Sequence, residues 1–314
     1  MTRFDCGRVC QEWKRIGQKD VDLSIVIVTW NVAEKLAACL QSLSLAALRG
    51  LTHEIILVDN ASQDGTVEMV RTQFPSVRLI TNASNAGYAA ANNQGIALAK
   101  GRYVLLLNPG TVVPKDALSR LMKGMDADAM IGIASPLLTN EEGAPQYYGG
   151  GSYPGARRTS VSEHRTSPAG EPFREMAFVI GAAMMVRREV FERVGTLDAG
   201  FFMYYEDIDL CKRARDAGWR VGVFEDIRIV HAKGGSCGQW SAERRQQNYF
   251  ASELRFHRKH YSRLKYVRLV ATRWLGAVWC LFWYGTVGRL FLRDGGRKFH
   301  EYVGRLRVLL GRTK

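Results

Sequence analysis

The sequence predicts an α/β fold in which a mainly parallel central sheet is flanked by helices. Short apolar runs recur from Leu23 onward, and a segment with helical spacing follows most of them. Glycine, proline or asparagine separates the successive segments. Alternating strands and helices form parallel sheets, because each crossover helix returns the chain to the same edge. A length of 314 residues leaves room for an appendage beside such a domain.

The elements can be assigned in chain order from these patterns. The first part contains predicted strands at 23–30, 54–59, 77–82 and 103–107 and helices at 34–43, 66–74 and 87–100. Residues 139–175 are rich in Gly, Ser, Pro and Arg and are expected to form a long loop across the sheet. The domain is completed by a strand at 176–186, a short helix at 188–195 and a helix at 209–218.

Almost all of the net positive charge lies at the C-terminal end. The net charge is +14, and residues 255–314 hold 15 Lys and Arg against two acids. Such a segment is typical of proteins that bind polyanions, either nucleic acid or an anionic membrane surface.

The apolar content of the same segment favours a membrane. Residues 274–288, WLGAVWCLFWYGTVG, carry no charge and are shorter than the roughly 20 residues that cross a bilayer. Trp and Tyr favour the headgroup level, and the basic flanks would attract anionic lipids. We therefore predict a basic helical tail over 256–314 that associates with membranes. A helix packed on the main domain and a nucleic-acid-binding segment are the alternatives.

Residues 1–21 are predicted to be an extension that precedes the main domain at 22–255. They include basic residues but no apolar run typical of a secretory signal, so we expect a cytoplasmic protein. The six cysteines fit neither a disulfide framework nor a common zinc spacing, and we expect reduced thiols.

Polar residues follow the apolar strands at the edge where α/β sheets bind ligands. Asp59 comes too early to cap the next helix, and its carboxylate can accept hydrogen bonds from a base or a ribose. Asn85 and Gly87 precede the third helix. Asn92 and Asn93 lie within that helix, where asparagine has low propensity. Ligand contact would explain this pair, and so would a solvent-facing position.

The strongest candidate for chemistry is the segment FFMYYEDIDL. In this segment Glu206, Asp207 and Asp209 follow four aromatic residues at the start of a predicted helix. Asp207 or Asp209 could be a helix cap alone, because carboxylates gain from the helix dipole there. Three acids within four positions exceed what capping requires. A base that removes a proton from a hydroxyl group would suit this position.

Six motifs in series resemble family 2 glycosyltransferases of the GT-A fold, over about residues 22–240. They are SIVIVTWN, VDNASQDGT, NAGYAAANNQG, LLLNPGT, GAAMMVRREVFERVG and FFMYYEDIDLCKRARDAGW. The sequence is most similar to rhamnosyltransferase-like members that build bacterial surface polysaccharides. The resemblance implies a nucleotide-sugar-binding fold, a nucleoside-diphosphate sugar donor and a divalent cation, Mg²⁺ or Mn²⁺. It also implies inversion at the anomeric carbon in one displacement.

The resemblance implies roles for individual residues. Asp207, with Glu206 beside it, would deprotonate the acceptor hydroxyl. His231 would be a metal ligand near the diphosphate, although a lone histidine after an apolar strand is more often structural. The donor would be bound by Thr29, Asn31, Asp59, Asn85, Gly87 and Asn108. The acceptor would be bound by Gly181, Tyr205 and Asp209.

The sequence departs from the family pattern in YVLLLNPGTVVP, at the end of the fourth strand. The family's metal-binding motif commonly reads Asn-Pro-Asp in these members, and here the last residue is Gly110. Hard divalent cations usually bind one or two carboxylates. A cation here would rest on diphosphate oxygens, water, Asn108 and His231, and would bind weakly. Lys233 is a candidate for supplying some of the positive charge that the leaving diphosphate needs.

The sequence thus predicts an inverting hexosyltransferase, peripheral on the inner face of the cytoplasmic membrane. It would move a sugar such as rhamnose from a nucleoside-diphosphate donor to a lipid-diphosphate-linked saccharide in cell-surface glycan synthesis. Nucleic acid is not an expected partner. The alternative is a nucleotide-sugar-binding homologue without turnover, against which the acidic cluster argues. A dehydrogenase is disfavoured, because no Gly-x-Gly-x-x-Gly turn follows the first strand.

Overall fold

The computed structural model describes residues 21–44, 50–146, 149–156, 164–166, 172–232, 240–285, 302–303, 305 and 307–310. Most of the predicted N-terminal extension and the candidate cation Lys233 lie outside these residues.

The first part of the fold is a parallel sheet whose strands alternate with helices. Its strands are β1 (Leu23–Thr29), β2 (His53–Asp59), β3 (Arg78–Thr81) and β4 (Tyr103–Leu107). Its helices are α1 (Ala33–Ser44), α2 (Thr66–Gln73) and α3 (Tyr88–Leu98). The four strands lie in the order β3-β2-β1-β4, and all of them are parallel. Every residue of β1 and β4 is buried, which explains their uninterrupted apolar runs. The predicted elements are confirmed here to within two residues.

The second part contains more strands than the sequence predicted. The strands are β5 (Thr111–Val112), β6 (Ile131–Thr139), β7 (Gly149–Gly150), β8 (His164–Thr166), β9 (Pro172–Glu175), β10 (Phe178–Val179), β11 (Ala183–Arg187) and β12 (Arg220–His231). The helices are α4 (Ala117–Ala127), α5 (Arg188–Val194) and α6 (Glu206–Asp216). The predicted loop at 139–175 therefore includes three short strands. The strand predicted at 176–186 is two strands, β10 and β11, separated by residues 180–182.

The sheet is more mixed than predicted. It continues from β4 as β11-β6-β12-β9-β8, with β5 paired to the end of β12. Strand β11 is antiparallel to both of its neighbours, and β12 is parallel to β6 but antiparallel to β9 and β5. The described residues between β6 and β11 include no helix. Parallel strands are usually joined through a crossover helix, and strand β11 instead pairs antiparallel to β6.

Two layers of helices cover the sheet. On one face, α1 and α4 contribute Leu36 and Leu121 to the same buried apolar cluster as Ile25. On the other face, α3, α5 and α6 contribute residues such as Leu210 to the same buried apolar cluster as Val26. Neighbouring strand residues thus pack into opposite layers, as a β-strand requires. The arrangement leaves the loops beyond the carboxyl ends of β1, β2 and β4 at one edge.

The two C-terminal helices are α7 (Ala242–His260) and α8 (Arg263–Gly285). The boundary predicted between residues 255 and 256 falls inside α7. Phe256 is fully buried, with its ring centre 5.5 Å from that of Tyr205. One side of α8 packs on the domain through Ala277 and through an Arg273–Glu253 ion pair of 2.6 Å. Among the residues described, no helix is long and apolar enough to cross a membrane.

Candidate active site

Two buried polar side chains lie where β1 and β2 end side by side, at the position named here the β1–β2 pocket. Thr29 and Asp59 are register partners, and each has 1% of its surface exposed. One oxygen of Asp59, Oδ2, accepts a hydrogen bond of 3.0 Å from the Ser62 amide. Asp59 Oδ1 and Thr29 Oγ1 are buried and have no hydrogen-bond partner within the described residues. Buried polar atoms are nearly always paired, so this β1–β2 pocket is arranged for a polar ligand.

The loops after β1 and β2 are fastened to each other beside this pocket. Asn31 has a φ of 51°, a left-handed conformation that asparagine tolerates. Its amide donates to Ser62 Oγ at 2.9 Å, and its Oδ1 accepts from the Gln63 amide at 2.7 Å. Asn31, which was predicted to bind the sugar donor, therefore holds the loop at the rim of the pocket.

The start of α3 lies against the loop before α6. Gly87 has a φ of 86°, and a Cβ there would come within 2.6 Å of the Phe202 carbonyl oxygen, so only glycine fits. The side chain of Asn85 accepts from the Gly87 amide at 3.0 Å, and Asn60 Nδ2 donates to the Gly87 carbonyl at 3.3 Å. The predicted residues Asn85 and Gly87 thus build the turn next to the β1–β2 pocket.

The asparagine pair inside α3 is not solvent-facing. Asn92 is fully buried and donates to the Tyr88 carbonyl at 2.9 Å. Asn93 exchanges two hydrogen bonds with the backbone of Leu197, at 2.7 and 3.1 Å. For Asn93 neither proposed explanation is correct, because its side chain fastens α3 to the loop after α5.

Asp207 lies in the first turn of α6 with both carboxylate oxygens held. Oδ2 accepts from the Gly181 amide at 2.9 Å, and Oδ1 accepts from the Ile208 amide at 2.8 Å. The carbonyl of Gly181 accepts from the Tyr88 hydroxyl at 2.7 Å. A Cβ on Gly181 would lie 3.7 Å from that of Asp207, so the predicted acceptor residue borders the predicted base.

The neighbouring carboxyls Glu206 and Asp207 have different environments. Glu206 is buried, and its Oε2 has no partner among the described residues. Burial, reinforced by the charge of Asp207, raises the pKa of Glu206 well above its usual 4.5. Burial also raises the pKa of Asp207, but the amides of Gly181 and Ile208 stabilise its charged form. Asp207 is therefore the carboxylate of the pair, and its raised pKa suits a general base.

The other two predicted acceptor residues make structural contacts. Tyr205 is 3% exposed, and its hydroxyl donates to that of Tyr249 at 3.3 Å. Tyr204 and Tyr205 have φ values of 70° and 69°, a strained turn that packing on α7 holds in place. Asp209 is fully buried. Its carboxylate is bound by Arg213, Lys259 and His260 at 2.8, 2.8 and 2.7 Å. An acceptor role for Tyr205 and Asp209 stays a prediction.

The turn after β4 brings together the residues predicted for a metal site. Asn108 Oδ1 accepts from the Gly110 amide at 2.9 Å. Residue His231 on β12 is the register partner of Thr111 on β5. A Cβ on Gly110 would lie 3.3 Å from Asn108 Oδ1 and 4.0 Å from His231 Cδ2. Asn108, Gly110 and His231 therefore border one point at the sheet edge.

These side chains do not fit a resident divalent cation. His231 Nδ1 lies 3.3 Å from Gln146 Oε1, and Asn108 Oδ1 is occupied by the Gly110 amide. Burial and then the charge of Lys35 lower the pKa of His231. In the part of the chain that the structure describes, no three His, Cys, Asp or Glu side chains form a group that could hold a metal ion. Mg²⁺ and Mn²⁺ sites usually include carboxylates, and the turn after β4 offers none.

The family model for Glycosyl transferase family 2 matches residues 24–195, more than half of the chain. This chain belongs to glycosyl transferase family 2. The glycosyltransferase is 28% identical over 251 residues to the N-acetylglucosaminyl-diphospho-decaprenol L-rhamnosyltransferase of Mycobacterium tuberculosis, covering 69% of this chain and 78% of that relative. It is 27% identical over 212 residues to the dTDP-rhamnosyl transferase RfbF of Shigella flexneri, covering 67% of this chain and 66% of that relative. The predicted resemblance is confirmed.

Solved structures confirm the GT-A fold of the glycosyltransferase. A mannosyltransferase from Pyrobaculum calidifontis in complex with GDP-Man and Mn²⁺ superposes with a TM-score of 0.54 at 18% identity. That match covers 95% of this chain and 93% of the other. GalNAc-T7 with UDP, GalNAc and Mn²⁺ gives a TM-score of 0.57 at 18% identity, over 75% of this chain and 48% of that one.

Three residues of the site were missed by the sequence analysis. Tyr88 directly follows Gly87 at a helix start, and this position was a signal that could have identified it. The other two are Gln146, whose Oε1 lies 3.3 Å from His231 Nδ1, and Lys35 on α1, whose charge lowers the pKa of His231 after burial of that ring. No local pattern marks them, because their proximity to His231 exists only in the folded chain.

Proposed function

We propose that this glycosyltransferase moves a sugar, such as rhamnose, from a nucleoside-diphosphate donor to a lipid-diphosphate-linked saccharide, with inversion at the anomeric carbon. The observation that carries the proposal is a chain of contacts from the β1–β2 pocket to Asp207. Its links are Asn60 to Gly87 at 3.3 Å, Tyr88 to Gly181 at 2.7 Å, and Gly181 to Asp207 at 2.9 Å. A binding site for the donor and a general base are thus parts of one rigid constellation.

In the proposed reaction the base of the nucleoside lies against Asp59, and Asp207 accepts the proton of the acceptor hydroxyl. The acceptor oxygen forms a bond to the anomeric carbon as the bond from that carbon to the diphosphate oxygen breaks. Glu206 stays protonated, because burial beside Asp207 opposes its ionisation. The names of the mycobacterial and Shigella relatives support a dTDP-sugar donor and a lipid-diphosphate acceptor.

A role for a divalent cation in the reaction stays a prediction. Structures with the same fold contain Mn²⁺, which supports a role for a metal. The described side chains of this chain do not form a metal site. A cation would therefore have to enter on the phosphates of the donor, where it would offset negative charge.

The proposal is tested by turnover of the purified chain with dTDP-, UDP- and GDP-sugars. The acceptor would be a synthetic polyprenyl-diphosphate-linked N-acetylglucosamine, and the anomeric configuration of the product would be read by NMR. Release of a nucleoside diphosphate with an inverted product is expected for one donor. Donor binding without release would instead favour the alternative, a nucleotide-sugar-binding homologue.

We also propose that α8 lies on the anionic inner face of the cytoplasmic membrane, where a lipid-linked acceptor is found. Eight large apolar residues described on α8 are at least 40% exposed, and their spacings place them along one broad stripe of the helix. They are Leu264, Val267, Trp274, Leu275, Val278, Trp279, Phe282 and Trp283. Lys and Arg at positions 263, 265, 268 and 273 accompany the stripe. This pattern is typical of helices that lie in the membrane interface.

Vesicle flotation tests the membrane proposal. The chain should bind vesicles that contain phosphatidylglycerol more strongly than pure phosphatidylcholine vesicles, and salt should weaken binding. Replacing Trp279 and Phe282 together by serine should reduce binding. Met130→Ser is the matched control, because Met130 is 53% exposed on the catalytic domain. Equal binding by the double variant would contradict the proposal.

A further inference from the structure

Among the described residues, the turn after β4 has no carboxylate to hold a cation that would stabilise the leaving diphosphate of the proposed reaction. The inference below rests on that reaction. A leaving nucleoside diphosphate carries negative charge that the site must offset. The described residues around Gly110 provide no carboxylate to hold a metal ion there. The structure brings a cationic side chain to the same point, on a helix that the motifs did not single out.

This cation is Lys35, in the first turn of α1. Cys39, one turn later, packs against the turn after β4, with its Sγ 3.9 Å from the Asn108 carbonyl oxygen and 3.6 Å from Thr111 Oγ1. Residues four apart lie on the same face of a helix. Lys35 therefore lies on the face of α1 that meets this turn. Along the helix axis, Lys35 is about 6 Å closer than Cys39 to the start of α1. The start of α1 follows the carboxyl end of β1.

A second observation places the charge of Lys35 at the same point. Its positive charge acts on His231, together with the burial of that ring. His231 is paired with Thr111, and Ala232 donates to the Gly110 carbonyl at 2.9 Å. The side chain of Lys35 is half-buried. The face of α1 that carries Lys35 thus meets the turn that contains Gly110 and that leads into the pairing of Thr111 with His231.

The order of the strands connects this position to the donor. β1 lies between β2 and β4, and neighbouring strands are about 4.8 Å apart. A nucleoside bound against Asp59 and Thr29 would have its diphosphate over the ends of β1 and β4. The reason is that the diphosphate extends from the ribose by a length similar to the spacing between neighbouring strands. The unpartnered buried oxygens of Asp59 and Thr29 independently mark the first part of this path.

We propose that Lys35 binds the diphosphate of the donor and stabilises it as it leaves, so that transfer proceeds without a bound divalent cation. As the bond from the anomeric carbon to the diphosphate oxygen breaks, both electrons go to that oxygen. The acceptor oxygen bonds to the anomeric carbon, and its proton goes to Asp207. The ammonium group of Lys35 donates hydrogen bonds to the phosphate oxygens, and these bonds strengthen as negative charge develops.

Calorimetry with EDTA present tests this inference on the full chain. The probes are dTDP and dTMP, UDP and UMP, and GDP and GMP. For the base that the protein selects, the diphosphate should bind more tightly than the monophosphate. Lys35→Gln should reduce that preference roughly 10- to 100-fold, the size of a lost hydrogen bond between charged groups. The monophosphate affinity should change little, which also reports that the variant is folded.

Two matched variants sharpen the test. Lys35→Arg keeps the charge and should retain most of the preference for the diphosphate. Lys123→Gln removes an exposed lysine from α4 and should change nothing. A preference that persists in Lys35→Gln, or that appears only when Mn²⁺ is added, would overturn the role of Lys35. The proposed function fails separately, when no nucleotide binds or when bound donor is not turned over.

Discussion

Asp59 ends β2, and Gly110 follows β4, two strands away at the same edge of the sheet. At the first position a buried carboxylate leaves one oxygen for a ligand. At the second, the side-chain oxygen of Asn108 is taken up by the Gly110 amide, and no carboxylate follows. This difference indicates that the nucleoside half and the diphosphate half of a donor site are not equally free to change. A base or ribose needs an acceptor in a fixed place, whereas a phosphate can be neutralised by any nearby cation.

The largest effect should come from Asp207, which the backbone of residues 181 and 182 connects to both halves of the site. The Gly181 amide binds Asp207, and the carbonyl of Ala182 accepts from the Asn108 amide at 2.8 Å. Asp207→Asn should lower kcat roughly 10²- to 10⁴-fold, because a general base is lost, and leave nucleotide affinity unchanged. Nucleoside-diphosphate release under saturating donor measures this.

Glu206→Gln is the matched control for that variant. Because burial beside Asp207 raises the pKa of Glu206, an uncharged side chain of the same size should leave turnover close to wild type. Equal losses in Asp207→Asn and Glu206→Gln would show that the two carboxyls act as one unit, contrary to the assignment made here.

A smaller effect is expected from Asp59→Asn, which changes the half of the site that recognises the nucleoside. The affinity for a nucleoside diphosphate and for its monophosphate should fall together, by roughly 10- to 100-fold, because a charge-assisted hydrogen bond is lost. Calorimetry with both nucleotides measures this, and Asp226→Asn on the exposed face of β12 is the control. A selective loss of the diphosphate would contradict the separation of the two halves.

Restoring a carboxylate after β4 should partly reverse the contrast between the two strand ends. Gly110 is outside the left-handed φ region, and a Cβ there would lie 3.3 Å from Asn108 Oδ1, so an aspartate requires that side chain to shift by a few tenths of an ångström. Gly110→Asp should bind Mn²⁺ roughly tenfold more tightly than wild type, because one carboxylate joins His231. The added carboxylate should also lower metal-free turnover by pairing with Lys35. Mn²⁺ titration by electron paramagnetic resonance measures the first effect.

Gly110→Asn is the control for this experiment, because it adds the same volume without the charge. If both variants changed Mn²⁺ affinity equally, the gain would be due to packing. If neither changed it, the turn after β4 would not be the place where a metal approaches the donor.

The smallest effect concerns stability. Burial raises the pKa of Glu206, whereas in the unfolded chain this carboxyl titrates near 4.5. The unfolded state therefore releases its proton at lower pH, and stability falls as pH rises from 4.5 through the raised value. Glu206→Gln lacks this loss, so its Tm should exceed that of wild type more at neutral pH than in acid. Scanning calorimetry measures this, with exposed Glu68→Gln as control.

The parallel half of the fold and the main carboxylates could be predicted from sequence because their signals are local. Strands β1, β2 and β4 are continuous apolar runs, and Asp59 stands where one of them stops. Asp207 lies in the first turn of a helix that directly follows an aromatic run in the sequence. In each case, adjacent residues in the sequence determine where the carboxylate lies in the fold.

The remainder of the site could not be predicted because it depends on contacts between distant segments. Thr111 and His231 become partners only when β5 pairs with β12. Lys35 reaches this pair through the packing of α1, which helical spacing alone does not orient. The partners of Asp209 could not be predicted either, because Lys259 and His260 lie about fifty residues further along the chain.

The binding of Asp209 by α7 determines where this chain can be shortened. A chain that ends at residue 255 would keep Asp209 but lose Lys259 and His260, leaving a fully buried carboxylate with Arg213. Removing partners of a buried charge costs roughly 3–5 kcal/mol, a large share of the stability of a typical domain. Ending the chain before Arg273 would likewise leave the carboxylate of Glu253, which is 6% exposed, without its ion-pair partner. A shortened form of the catalytic domain should therefore include α7 and α8, although neither helix touches the donor in the proposed reaction.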